Sequence, residues 1–160
     1  VTRCWLRAHA FVCAFRILPL PVRKRSELTP IGFLACARWK PNDSPGSVYL
    51  WVVSRGGARQ VVYIGSALRQ TVQQRLRNHR GHYLEKRKNN KIANADEFLS
   101  NQIEQGAHAY VFVRQSRRRD CLDLSGPQPS DAMAEEQALI WHFAPVLNGE
   151  ASKRYYLDGG

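Results

Sequence analysis

A handful of polar residues stands out by type and spacing. Tyr49 and Tyr63 sit in two short runs of β-branched and aromatic residues, Val48 to Val53 and Val61 to Ile64. Arg75 and His79 follow, four positions apart, and Glu136 and Asn148 bracket an apolar stretch near the far end. A tyrosine hydroxyl can exchange a proton when nearby cations lower its pKa. A guanidinium offers paired donors to an oxyanion. A carboxylate can hold a hard divalent cation whose other positions are filled by water. A histidine can relay a proton or bind an anion. Each also has an ordinary role: strand tyrosines pack, helix Arg and His face solvent, and a Glu near a helix start meets the dipole. Their convergence on one small unit favours chemistry.

The elements that must position them can be read from local pattern. The two β-rich runs flank Arg55-Gly56-Gly57, whose glycines supply the positive φ that a reversal needs, so they form a hairpin. Gly65-Ser66 ends the second strand. Thr71 and Gln74 have capping-box spacing, so a helix starts there, with Val72 and Leu76 on one face. Arg75 and His79, at i and i+4, share another face. Ala95 to Gln105 predicts a second helix with Phe98, Leu99, Gln102 and Ile103 near one side and Gly106 as its stop. Ala109 to Val113 predicts a third strand. Ser130 or Asp131 caps a last helix carrying Glu135 and Glu136. The expected fold is α+β: a small three-stranded antiparallel sheet flanked by helices, in the order β-β-α-α-β-α.

Val48-Tyr49 followed by Tyr63-Ile64-Gly65, with Arg75 and His79 beyond, resembles the motif of the GIY-YIG nuclease family. Glu136-Gln-Ala-Leu-Ile-Trp-His-Phe-Ala-Pro145-Val-Leu-Asn148 resembles that family's last helix. The resemblance rests on the order of these elements from Val48 to Asn148, since Tyr-Ile-Gly alone is weak. There are departures. Ser47-Val48 replaces the Gly-Ile of the first motif. The gap from Gly65 to Arg75 is longer than usual. Ser66 stands where many members carry a lysine. The resemblance implies a metal-dependent endonuclease that hydrolyses phosphodiester bonds in DNA with Mg2+ or Mn2+. Glu136 would be the metal ligand and Arg75 the phosphate clamp. Of the two tyrosines, Tyr49 is expected as the general base and Tyr63 as a positioning hydroxyl. His79 would relay the proton or bind phosphate, and Asn148 would orient Glu136 or brace the site. Glu135 competes for the metal, but the neighbours point about 100° apart on a helix, so only one can face the site. Counting back from Asn148 favours Glu136. The alternative function is a non-catalytic nucleic-acid-binding module that keeps the nuclease fold; retention of every polar position argues against it.

At 160 residues the chain is long enough for one domain with a core and too short for two full ones. A hydrophobic content of 44% with 23% charged residues excludes a disordered chain. The net charge of +11 and pI near 10.0 favour a polyanionic partner, most simply nucleic acid. Arg69, Arg77, Arg80, Lys86, Arg87, Lys88 and Lys91 surround the first helix and are candidate phosphate contacts. Cys4, Cys13, Cys36 and Cys121 form no C-x-x-C pair, so neither a zinc site nor a disulfide framework is expected. Residues 1–43 read as a basic segment and linker, 44–149 as the nuclease domain and 150–160 as a tail. The apolar patch Ala8 to Phe15 is too short and too charged to span a membrane and a poor match to a signal peptide, and free thiols in a reducing cytoplasm are the expectation for the cysteines. No DNA-reading module is recognisable, so low sequence specificity, a specificity partner protein, or specificity built into the loops at 80–95 and 114–130 is expected, and cutting both strands would favour a homodimer or sequential nicking.

Overall fold

The computed structural model describes residues 1–19, 31–36, 46–77, 90–116 and 131–148. The elements run α1 (Arg3–Ala8), β1 (Val12–Pro19), β2 (Ile31–Ala35), β3 (Ser47–Arg55) and β4 (Ala58–Ala67). They continue with α2, described over 72–77, then α3 (Asn90–Glu104), β5 (His108–Gln115) and α4 (Ala132–Phe143). The fold is α+β, but the expected three-stranded sheet is wrong. The described residues form a five-stranded antiparallel sheet in the order β2-β1-β5-β3-β4, with four helices.

The two additional strands come from the segment read as a basic arm. Along β1, Phe15 and Ile17 are buried while Arg16 between them is exposed. Arg16 therefore does not end the apolar run; it is the outward residue of a period-two strand. β1 pairs with β2 and with β5, so its partners lie on both sides. Such long-range pairing leaves no local sequence signal beyond the alternation.

β3 is buried over Ser47 to Val53, because helices cover the sheet on both faces there. Tyr49, Trp51 and Val53 face Val72 and Leu76 of α2 and Leu99 of α3. Val48, Leu50 and Val52 face Leu139 and Ile140 of α4 and Leu6 of α1. The hairpin turn forms as its glycines require, with φ of 56° at Gly56 and 85° at Gly57, the conformation of a two-residue I′ turn. A bulge interrupts the hairpin: Trp51 pairs with Tyr63 and Val52 with Val61, leaving Val62 as the extra residue. Val62 and Tyr63 consequently both pack toward the α2–α3 side.

Candidate active site

The site is built on β4, which is an edge strand. Tyr49 lies on β3 opposite Gly65, and it is fully buried. Its ring lies against the glycine so closely that a Cβ there would sit 2.6 Å from Cζ and 2.6 Å from the hydroxyl oxygen. Glycine at this position is thus a packing requirement rather than a turn signal. Tyr63 lies beside Tyr49 with ring centroids 6.1 Å apart, and is only partly buried. Behind it, Trp51 packs at 4.9 Å and Phe33 of β2 packs on Trp51 at 5.8 Å. β2, unforeseen from sequence, therefore backs the site.

Arg75 is delivered by α2. The capping box forms as its spacing predicts: Gln74 N donates to Thr71 Oγ1 at 3.1 Å, and Thr71 N donates to Gln74 Oε1 at 2.9 Å. This fixes the first turn of α2 and aims Arg75 at Tyr49, to whose hydroxyl it donates a hydrogen bond. Tyr49 in turn hydrogen-bonds Tyr63. Burial pushes the Tyr49 hydroxyl well above its ordinary pKa, with Tyr63 adding and Arg75 opposing. Burial also raises Tyr63, with the Glu136 charge adding, while Arg75 and the bond from Tyr49 pull it down. The Nε of Arg75 is buried and, among the described residues, has no hydrogen-bond partner.

α4 supplies the carboxylates, and the tertiary structure separates them. Glu135 forms a 2.8 Å ion pair with Arg114 of β5, whose guanidinium also lies 4.8 Å over the Phe11 ring. Glu136 instead accepts a hydrogen bond from Ser66 of β4. Burial raises the Glu136 pKa; the Ser66 bond and Arg75 partly offset it. Among the described residues, no group of three or more His, Cys, Asp or Glu gathers into a metal cluster. What the site offers is one carboxylate beside hydroxyl oxygens, a hard donor set.

Asn148 bonds the backbone of Ile64 on β4. Its Oδ1 accepts from Ile64 N and its Nδ2 donates to Ile64 O, both at 2.8 Å. With Leu147 N donating to Val62 O at 2.9 Å, it fastens the chain after α4 along the open edge of β4. The bond holds α4, and hence Glu136, in register with Tyr63. The C-terminal turn of α4 is made by Ala144 in the left-handed region, followed by Pro145. Asp131, at the other end, makes no side-chain capping bond.

Tyr49, Tyr63, Arg75 and Glu136 thus converge. Arg69 and Arg77 are exposed. His79, Arg80, Lys86, Arg87 and Lys88 lie outside the described residues, and Lys91 falls in α3 with its side chain likewise outside them. In the sequence Ser66 marks only a departure from the family pattern. Its place one strand step past Gly65 was the available signal, but which face it meets depends on where α4 packs. No helix among the described residues is long and apolar enough to cross a membrane.

No protein-family model matches the chain, and no curated protein sequence matches it. Its fold is similar to that of a glutamate-to-alanine mutant of bacteriophage T4 EndoII, with a TM-score of 0.60 and 12% identity. The match covers 91% of this chain and 96% of that one. At that identity the likeness is one of fold.

Proposed function

We propose that this protein is a metal-dependent endonuclease of the GIY-YIG type that hydrolyses phosphodiester bonds in DNA. The observation that carries the reading is the convergence of Arg75, Tyr63, Tyr49 and Glu136 beside β4. The fold shared with a phage endonuclease supports the same reading, as does the net charge of +11.

Exposure argues for exchanging the tyrosine roles expected from sequence. Tyr49 is sealed in the core, whereas Tyr63 is partly exposed and can meet a water. Tyr63 is therefore assigned as the general base and Tyr49 as the hydroxyl that positions it. Burial and the Glu136 charge raise the Tyr63 hydroxyl overall, and the charge of Arg75 and the bond from Tyr49 oppose that shift without reversing it. Glu136 would hold Mg2+ or Mn2+, because a single carboxylate suits a hard cation that retains most of its waters. When bound, the ion supplies charge relief at the phosphate and the leaving oxygen. Arg75 orients the phosphate, and the water gives its proton to the Tyr63 phenolate as its oxygen bonds phosphorus, the opposite P–O ester bond breaks and the departing oxygen takes a proton from solvent. Arg69 and Arg77 extend the phosphate-binding surface. One site per chain implies that double-strand cleavage needs two copies or two sequential nicks.

The test is cleavage of supercoiled plasmid with Mg2+ or Mn2+, with EDTA controls and Glu136→Gln alongside. Nicking or linearisation that vanishes in both controls supports the reading. Binding of DNA without cleavage by the native protein, matched by Glu136→Gln, would replace the enzyme with a binding module.

A further inference from the structure

Away from the site, β1 and the end of β2 bring two cysteines together. Cys13 lies on β1 at a bulge, where Cys13 pairs with Phe112 and Phe15 with Val111 of β5. Cys36 immediately follows β2, and its backbone N–H donates to Ala14 O at 2.8 Å. The two residues are 23 positions apart in the chain, yet their Sγ atoms lie 3.2 Å apart. Both are half-buried free thiols, whereas Cys4 is exposed. A disulfide needs its sulfurs at about 2.0 Å, a closure that small side-chain rotations can provide between such neighbours.

We infer that Cys13 and Cys36 are an oxidisable thiol pair that closes into a disulfide, stapling the edge strand β2 to the sheet. The co-reactant is a low-molecular-weight disulfide. The Cys36 thiolate attacks one of its sulfurs and expels a thiolate. The Cys13 sulfur then attacks the Cys36 sulfur, loses its proton and expels the second thiolate. The protein gives up two hydrogens and the small disulfide leaves as two thiols. Burial, helped by the bond to Cys36, pushes the Cys13 thiol up to about 12. Cys13 is therefore the slower partner and Cys36 the point of entry.

The staple has a structural consequence. β2 carries Phe33, which packs on Phe15 at 6.4 Å and on Trp51 at 5.8 Å. Trp51 packs on Tyr63 at 4.9 Å. Fixing the end of β2 fixes the aromatic wall behind Tyr63. Among the described residues β2 is an edge strand with a single sheet neighbour, where local opening is easiest and a cross-link adds order.

The experiment is oxidation of the whole chain with oxidised glutathione at pH 8, read by thiol titration, intact mass and a non-reducing peptide map. Reactive thiols under denaturing conditions should fall from four to two, with a loss of two hydrogens and a Cys13–Cys36 peptide pair. The melting temperature should rise by roughly 10 °C and return on reduction. Cys36→Ser should melt as the reduced protein does and show no rise on oxidation. A glutathione adduct left at Cys36, a pairing through Cys4 or Cys121, or an unchanged thiol count would overturn the proposal. None of these readouts depends on nuclease activity.

Discussion

Replacing Gly65 by alanine adds one methyl group where the Tyr49 ring already lies. The new Cβ would be 2.6 Å from Tyr49 Cζ and 2.6 Å from its hydroxyl oxygen, and 3.0 Å from Cε2. Ordinary contact begins near 3.4 Å, so the shortfall is about 0.8 Å. The ring cannot simply swing away. It is fully buried, it abuts Tyr63, and its hydroxyl is held by Arg75. Overpacking of this kind costs about 1–3 kcal/mol. Because Gly65 does not need a positive φ, alanine also gains about 0.4–1 kcal/mol by restricting the unfolded chain. The net expectation is a loss of about 1–2 kcal/mol in urea unfolding. A double-mutant cycle isolates the contact. With Tyr49→Ala the ring is gone, and Gly65→Ala in that background should be neutral or stabilising, giving a coupling of about 1–3 kcal/mol. Gly65→Ala should also cut plasmid cleavage at least tenfold, because it moves the hydroxyl that bonds Tyr63. An unchanged midpoint, a coupling near zero and full cleavage would refute the packing argument and the role given to Tyr49 together.

Three further outcomes follow from the site. Burial raises the Glu136 pKa above its ordinary 4.5, so the ionised carboxylate destabilises the fold at neutral pH. Glu136→Gln should therefore melt higher than the native protein at pH 7–8, with the difference closing as pH falls through the raised Glu136 pKa and gone once pH is below the ordinary 4.5, measured by melting temperature against pH. Glu135→Gln, by contrast, removes the half-buried ion pair with Arg114 and should cost about 1 kcal/mol while leaving cleavage intact; loss of cleavage there would reverse the assignment of the two glutamates. Asn148→Ala removes two hydrogen bonds to Ile64 and should cost about 1–3 kcal/mol in denaturant unfolding, with cleavage falling through displacement of α4.

Local chemistry determined a good deal by itself. The Gly56-Gly57 turn, the Thr71–Gln74 box and the Gly106 stop involve neighbours a few positions apart, so their geometry is written in the residues that make it. The same holds for the pairing of β3 with β4, and therefore for Tyr49 lying near Tyr63. Tertiary structure decided what depends on distant partners. β1 and β2 are legible only once β5 is present to pair with β1, because an alternation containing Arg16 looks like an interrupted apolar patch in isolation. The bulge at Val62 exists only against β3, and it is what turns Tyr63 toward the site. Glu135 and Glu136 are chemically identical neighbours; Arg114 and Ser66, far away in the chain, give them different environments. Asn148 meets Ile64 across 84 positions, a contact that no short-range pattern encodes. Residue type and spacing set which groups were available, and the packing of helices on both faces of one sheet decided which of them meet.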